Sequence, residues 1–320
     1  MTEELTQSAV EEDMRETPAI ETVGLVARYG KKKTAVDGLD LTVQQGSVYG
    51  FLGPNGAGKT TTIKTLMGFR RPDGGSARVL GYDVVEESIE VRARVGFASE
   101  VDSLYGGMTV PRISRFCRDM SRGWDQDLVD RYIGVFGLPT DKKIRKLSKG
   151  QRAQLQLCLA LGSDPEVLIL DEPTSGLDPV ARRAFLKVIV GEVAGEGRTV
   201  FFSTHLLSDI EAVADTIGII KGGKLLASGD LDDLRESHRT FRIVYAEVPS
   251  EEEIEALKDL PDVRETEREG RGIRVGVRGD VQAVERALQS RPHEVRDVDS
   301  VGMSLEDIFV AYVEEDSDDC

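Results

Sequence analysis

At 320 residues the chain is long for one compact domain and suits two, and its composition, 40% hydrophobic and 31% charged, is that of a soluble globular protein. No apolar run approaches the ~18 residues of a membrane span, and the acidic start Met1-Thr-Glu-Glu-Leu5 lacks the basic and apolar regions of a secretory signal, so a cytosolic protein is expected. Cys117, Cys158 and Cys320 are too scattered for a disulfide framework or metal cluster. The net charge of −16 sits at the ends, with −5 over residues 1–20, +3 over 21–228 and −14 over 229–320, which leaves no dominant basic surface for sequence-independent nucleic-acid binding.

Residues 1–19 are acidic, poor in aromatics and without period, and read as a disordered leader. Short alternating strands are predicted at Ile20–Tyr29 and Leu39–Val43, separated by the basic turn from Gly30 to Lys33, as an antiparallel layer. Tyr29 at a strand end reads either as a half-buried sheet aromatic or as a flat surface for adenine.

The apolar run Ser47–Leu52 then leads into Gly53-Pro54-Asn55-Gly56-Ala57-Gly58-Lys59-Thr60-Thr61, and helical spacing follows from Thr62. Strand, glycine-rich turn and helix in that order is the context of a phosphate-binding loop. Gly53, Gly56 and Gly58 remove side chains that would keep backbone N–H groups from an anion, and the helix N-terminus adds partial positive charge. Lys59 supplies a full charge for the β- and γ-phosphates, and the Thr60 hydroxyl is placed to bind magnesium.

Downstream, a turn at Arg71–Gly75 precedes a short strand at Ser76–Leu80 and mixed helical spacing over 84–95. A strand from Val95 to Ser99 ends at Glu100, in a loop. Apolar spacing over 109–138 predicts two or three amphipathic helices, with Trp124 as a packing anchor at their junction. Next comes Leu147-Ser148-Lys149-Gly150-Gln151 before an apolar helix containing Cys158, read as a small core residue. Ser148 and Gly150 stand at a helix start, which fits an ordinary serine N-cap or a second anion site.

The run Val167–Leu170 predicts a buried parallel strand with Asp171 and Glu172 at its carboxyl end, where ligands of open α/β sheets bind. Asp171 there can hold magnesium through water, and Glu172 can accept a proton from a water attacking a γ-phosphate. A tight turn from Ser175 to Asp178 leads into a helix, and His205 follows one more buried strand, Thr199–Ser203, as a γ-phosphate contact.

These motifs together resemble the ATP-binding-cassette ATPases over about residues 20–230. The resemblance implies an α/β P-loop NTPase core with a RecA-like parallel sheet, an antiparallel β subdomain and a helical insert at about 100–145. It implies ATP with Mg2+, adenine stacked on Tyr29, Glu172 as catalytic base with His205 and Lys59, and metal contacts from Thr60, Asp171 and Glu100. It also implies head-to-tail dimerisation, with Ser148, Lys149, Gly150, Gln151 and Asp178 reaching the ATP of a second cassette subunit, in the simplest case a homodimer. Two departures stand out. Lys149 replaces the common glycine of the signature, and Glu100 replaces a common glutamine, which puts extra charge beside the metal.

That pattern is similar to cassettes of drug and antibiotic exporters, which implies a separate integral membrane permease contacted through the helical insert, at the inner face of the cell membrane, and no nucleic-acid partner. A soluble cassette acting on ribosomes or DNA is the alternative. Residues 231–313 are expected to form a small α+β, ferredoxin-like domain, β-α-β-β-α-β, closed by a helix from Ser304 through Tyr312. The domain resembles C-terminal extensions of exporter ATPases, and 314–320 read as a disordered tail.

Overall fold

The computed structural model describes residues 17–30, 33–101, 103–193, 197–289 and 295–318. The leader up to residue 16, Lys31 and Lys32 of the basic turn, and the last two residues lie outside that set. Contacts divide the chain after Ser228 into two compact units.

The first unit holds two sheets. One is antiparallel, in the order β2-β1-β4-β5, from β1 (Ile20–Tyr29), β2 (Lys33–Val43), β4 (Gly74–Val79) and β5 (Tyr82–Asp83). The other runs β10-β9-β3-β8-β7-β6. Its members are β3 (Val48–Leu52), β6 (Val95–Ala98), β7 (Val167–Asp171), β8 (Thr199–Thr204), β9 (Thr216–Lys221) and β10 (Lys224–Asp230). Adjacent strands from β6 through β7, β8 and β3 to β9 are parallel. Every residue of β3, β7 and β8 is buried, as expected of parallel strands covered on both faces.

Between the sheets lies the core, where Phe201 stacks on Tyr49 at 5.6 Å and meets Phe51 tilted at 5.3 Å between centroids, in one cluster with Ile20, Leu25 and Val36 of the antiparallel layer. Register then fixes the site. Leu52 pairs with Thr204 and Asp171 with Ser203, so Gly53, Glu172 and His205 leave the sheet together at its carboxyl edge.

Two expectations for this unit are corrected. The second strand begins at Lys33 rather than Leu39, because Ala27 pairs with Val36 and Tyr29 with Lys33 across a hairpin whose polar Asp37-Gly38 broke the apolar alternation. Ala19, assigned to the leader, is buried, and its N–H donates to the Val43 carbonyl at 2.8 Å. The helical insert comprises two helices, Val110–Met120 and Gln126–Val135. Trp124 lies between them, half-buried over Gly162, where an added Cβ would come within 2.6 Å of its ring.

The second unit folds as β-α-β-β-α-β in the order β12-β13-β11-β14, with β11 (His238–Tyr245), β12 (Val263–Glu269), β13 (Gly272–Arg278) and β14 (Val295–Gly302), all pairs antiparallel. This is the ferredoxin-like arrangement. Phe241, Ile243, Tyr245, Ile273, Val275 and Val277 recur at period two and meet Leu257, Val284 and Leu288 from the helices Glu251–Lys258 and Val281–Gln289. The last helix starts at a capping box in which Asp307 N–H donates to Ser304 Oγ at 3.1 Å and Ser304 N–H to Asp307 Oδ2 at 3.3 Å. It runs to Asp318, so most of the expected disordered tail is helix, there being no Pro or Gly after Tyr312 to stop it.

Candidate nucleotide site

The glycine-rich loop joins β3 to the helix Lys59–Leu66, whose N-cap is Gly58 at φ +116° with no side-chain cap. The first N–H groups of a helix have no intrahelical partner, and here no side chain covers them, so they are presented to an anion. A Cβ on Gly58 would stand 2.4 Å from the Ala35 carbonyl, and one on Gly53 would stand 2.3 Å from the Ile220 carbonyl. These two positions are therefore glycine because the loop packs on neighbouring backbone. Gly58 is also required by its positive φ, and Gly56, at φ +84° with open space around it, answers to turn geometry and ligand access alone.

A cleft of about 210 Å³ brings nine of the expected residues together. The loop from Asn55 and Gly56 through Gly58 to Lys59, Thr60 and Thr61 lines it, facing Glu100 and Glu172, and Tyr29 contributes from the end of β1. Gly53, Pro54 and Ala57 do not line it. The Gly53 and Pro54 carbonyls accept from Lys59 Nζ at 2.6 and 3.2 Å, and buried Ala57 accepts at its carbonyl from Gly223 N–H at 2.8 Å.

At the sheet edge the charges interlock. Lys59 Nζ lies 3.0 Å from Glu172 Oε1, with both side chains 6% exposed. The contact is an ion pair without an aligned hydrogen bond, since Oε1 accepts none. Glu172 Oε2 is 2.8 Å from His205 Nδ1. Burying a carboxylate is costly unless it is paired, and these two contacts supply the pairing. Glu172 itself adopts φ +47°, a left-handed conformation that costs a non-glycine residue about 1 kcal/mol or more. The conformation is held in place by its N–H donating to Ser203 Oγ at 3.0 Å and to the Ser203 carbonyl at 3.2 Å.

Ser203 also donates from Oγ to Asp171 Oδ1 at 2.7 Å, and Thr60 Oγ1 donates to the same oxygen at 3.2 Å. In the sequence Ser203 is marked only as the last residue of a buried strand. Its polar side chain at that position, beside the end of β7, was the available signal. Asp209 was missed altogether. Wholly buried, it accepts from Arg182 Nε and Thr174 Oγ1 at 2.5 Å each and from Thr204 Oγ1 at 3.3 Å, tying the segment after Glu172 to the strand end before His205.

Ser148, Gly150, Gln151 and Asp178 do not line the cleft. Ser148 Oγ accepts from Gln151 N–H at 3.1 Å while Gln151 Oε1 accepts from Ser148 N–H at 3.0 Å, a capping box on the helix Lys149–Leu161. Asp178 caps the helix Pro179–Val188, accepting at Oδ1 from Val180 and Ala181 N–H at 3.0 and 2.9 Å. Lys149 lies over Gly176, and with Arg152 it lines a separate 140 Å³ cavity that shares Glu100 and Glu172 with the cleft.

For a divalent cation the fit rests on oxygen donors. The Thr60 hydroxyl and the Asp171 carboxylate converge beside the loop, with Glu100 in the same cleft. Magnesium is commonly held by one or two such protein oxygens and completed by phosphate and water. Among the described residues no group of three or more His, Cys, Asp or Glu side chains is placed to hold a metal alone.

Parallel sheet, glycine-rich loop and paired carboxylates at the adjoining strand end define a P-loop nucleoside triphosphatase. Residues 36–175 match the family model described as ABC transporter, and residues 229–313 match that of the ATP-binding protein DrrA1-3-like, C-terminal domain. The daunorubicin/doxorubicin resistance ATP-binding protein DrrA of Streptomyces peucetius is 35% identical over 95% of this chain and 94% of its own length. The bacitracin transport ATP-binding protein BcrA of Bacillus licheniformis is 37% identical over 69% of this chain and 73% of its own. A solved structure of an ATP binding subunit of an ABC transporter superposes with a TM-score of 0.62 at 28% identity, covering 69% of this chain and 92% of that one. The chain belongs to the ABC transporter ATP-binding proteins and is an ATP-hydrolysing cassette. No helix among the described residues is long and apolar enough to cross a membrane.

Proposed function

We propose that this chain is the ATPase subunit of an exporter, that it works as a homodimer at the inner face of the cell membrane, and that it drives a separate permease. The observation that carries the reading is the split of the nucleotide chemistry. Lys59 and Glu172 line the cleft and His205 bonds to Glu172 at the same sheet edge, whereas Ser148 to Gln151 line no part of that cleft, which supports their serving a second subunit.

ATP would lie with its adenine on Tyr29 and its phosphates over Asn55 to Thr61, with magnesium held by Thr60, Asp171 and Glu100. An ion held there would supply positive charge to offset that of the γ-phosphate. Binding draws Lys59 towards the phosphates and releases Glu172 Oε1, which then takes a proton from the attacking water. His205, bonded to Oε2, holds that carboxylate in line and reaches the γ-phosphate. Ser148, Lys149, Gly150, Gln151 and Asp178 complete the partner's site.

Contact with the permease is supported by a 370 Å³ cavity between the loop after β6 and the helical insert, where Tyr105, Phe116 and Met120 are 58%, 40% and 75% exposed. Export of a drug or antibiotic is supported by the names of the relatives. Affinity purification of the full chain from membranes tests the reading. A multi-pass membrane protein in the eluate upholds it, and ribosomes or DNA in its place overturn it.

A further inference from the structure

At the end of β1 the ladder is irregular. Val26 opposite Gly74 is the last pair with β4, and the register with β2 shifts between Ala27 and Arg28. Two side chains take over the main-chain groups of Arg28 there. Its N–H donates to Asp73 Oδ2 at 2.7 Å, and its carbonyl accepts from Arg70 Nη2. Arg70 Nη2 also donates to Asp73 Oδ2 at 2.8 Å, and Asp73 N–H donates to the Val26 carbonyl at 2.7 Å. The Arg28 N–H and the Arg70 guanidinium together hold the Asp73 carboxyl below the usual carboxylate range.

The clip fixes the residue that precedes Tyr29 and sets a cation over the tyrosine itself, with the Arg70 guanidinium carbon 4.6 Å from the ring centroid. Tyr29 is 47% exposed and lines the nucleotide cleft, whereas Arg70, packed against its ring, does not line that cleft. An exposed tyrosine loses rotamer freedom when a base stacks on it, and a cation already seated behind the ring removes part of that loss before the ligand arrives.

We propose that Arg70, held by Asp73, is the positioning residue of the base platform, so that purine, Tyr29 and Arg70 form a three-layer stack. The proposal rests on the reading of Tyr29 as the adenine contact.

The test measures equilibrium binding of ATP and of inorganic tripolyphosphate to the full chain with magnesium, for Arg70→Ala, Arg70→Lys, Tyr29→Ala and the Arg70→Ala/Tyr29→Ala double variant. Arg70→Ala should weaken ATP roughly three- to fivefold, the weight of one exposed cation–π contact, and leave tripolyphosphate unchanged. Arg70→Lys should fall between that variant and the wild type. In the Tyr29→Ala background Arg70→Ala should add nothing. Equal weakening of both ligands, or an undiminished Arg70→Ala effect in the double variant, overturns the proposal. A Tyr29→Ala that binds ATP normally sinks the adenine reading and the proposal with it. A Tyr29→Ala that weakens ATP beside an Arg70→Ala that does not removes the Arg70 role alone.

Discussion

His205 Nδ1 lies 2.8 Å from Glu172 Oε2, so the carboxylate proposed to receive a proton is oriented by the residue that follows β8. The ion pair from Lys59 to the other oxygen makes the loop, β7 and β8 one electrostatic unit.

Replacing Glu172 with glutamine keeps the shape of that unit and removes the proposed proton acceptor. Glu172→Gln is expected to bind ATP, to lose turnover by roughly 10²- to 10⁴-fold, and to accumulate as an ATP-bound dimer. Steady-state hydrolysis and gel filtration with ATP check this, and turnover at the wild-type rate would refute the base assignment.

Lys59→Met should abolish nucleotide binding and also destabilise the fold, because Glu172 stays buried with a partner removed. The loss is expected near 3 kcal/mol, the low end for a broken buried pair, since His205 still faces the carboxylate. Adding Glu172→Gln should recover part of that stability in urea unfolding. A double variant no more stable than Lys59→Met would show that the pair contributes little.

Ser203→Ala removes the shorter of two hydroxyl donors to Asp171 Oδ1 and one of two acceptors for Glu172 N–H. A stability loss of about 1–2 kcal/mol is expected, together with a higher magnesium concentration for half-maximal hydrolysis. An unchanged magnesium dependence would confine Ser203 to a structural role.

Asp73 provides a pH signature. A carboxyl whose folded value is depressed contributes stability above its unfolded value and loses it as pH falls through the folded one. Asp73→Asn should therefore be less stable than wild type at neutral pH, with the gap closing only below about pH 4. Unfolding midpoints at stepped pH decide it, and a gap that stays constant into acid would contradict the clip.

Burial pushes the thiols of Cys117 and Cys158 up, far more so for Cys158, which is wholly buried. Thiolate is the reactive form, so a maleimide at neutral pH should leave Cys158 unmodified until denaturant is added and should label Cys117 slowly. Mass mapping of labelled peptides reads both. Labelling of native Cys158 would mean that its helix opens.

The local chemistry of this protein is written in its sequence. Strand-loop-helix around Gly53 to Thr61, carboxylates after Val167–Leu170 and the serine before an apolar helix are short-range patterns, set by periodicity and by which backbone groups a helix start leaves free. The two-unit arrangement and the ferredoxin-like order follow from the same kind of pattern. Tertiary structure alone decided which residues meet. Lys59 and Glu172, 113 positions apart, pair because parallel register sets Leu52 beside Thr204 and Asp171 beside Ser203. Asp209 and Arg70 carry no local mark of function, and Ser203 only that of a polar side chain closing a buried strand. Each becomes a partner only when a neighbouring strand end or loop brings an unpaired group to it, and that proximity is a property of the packed sheets.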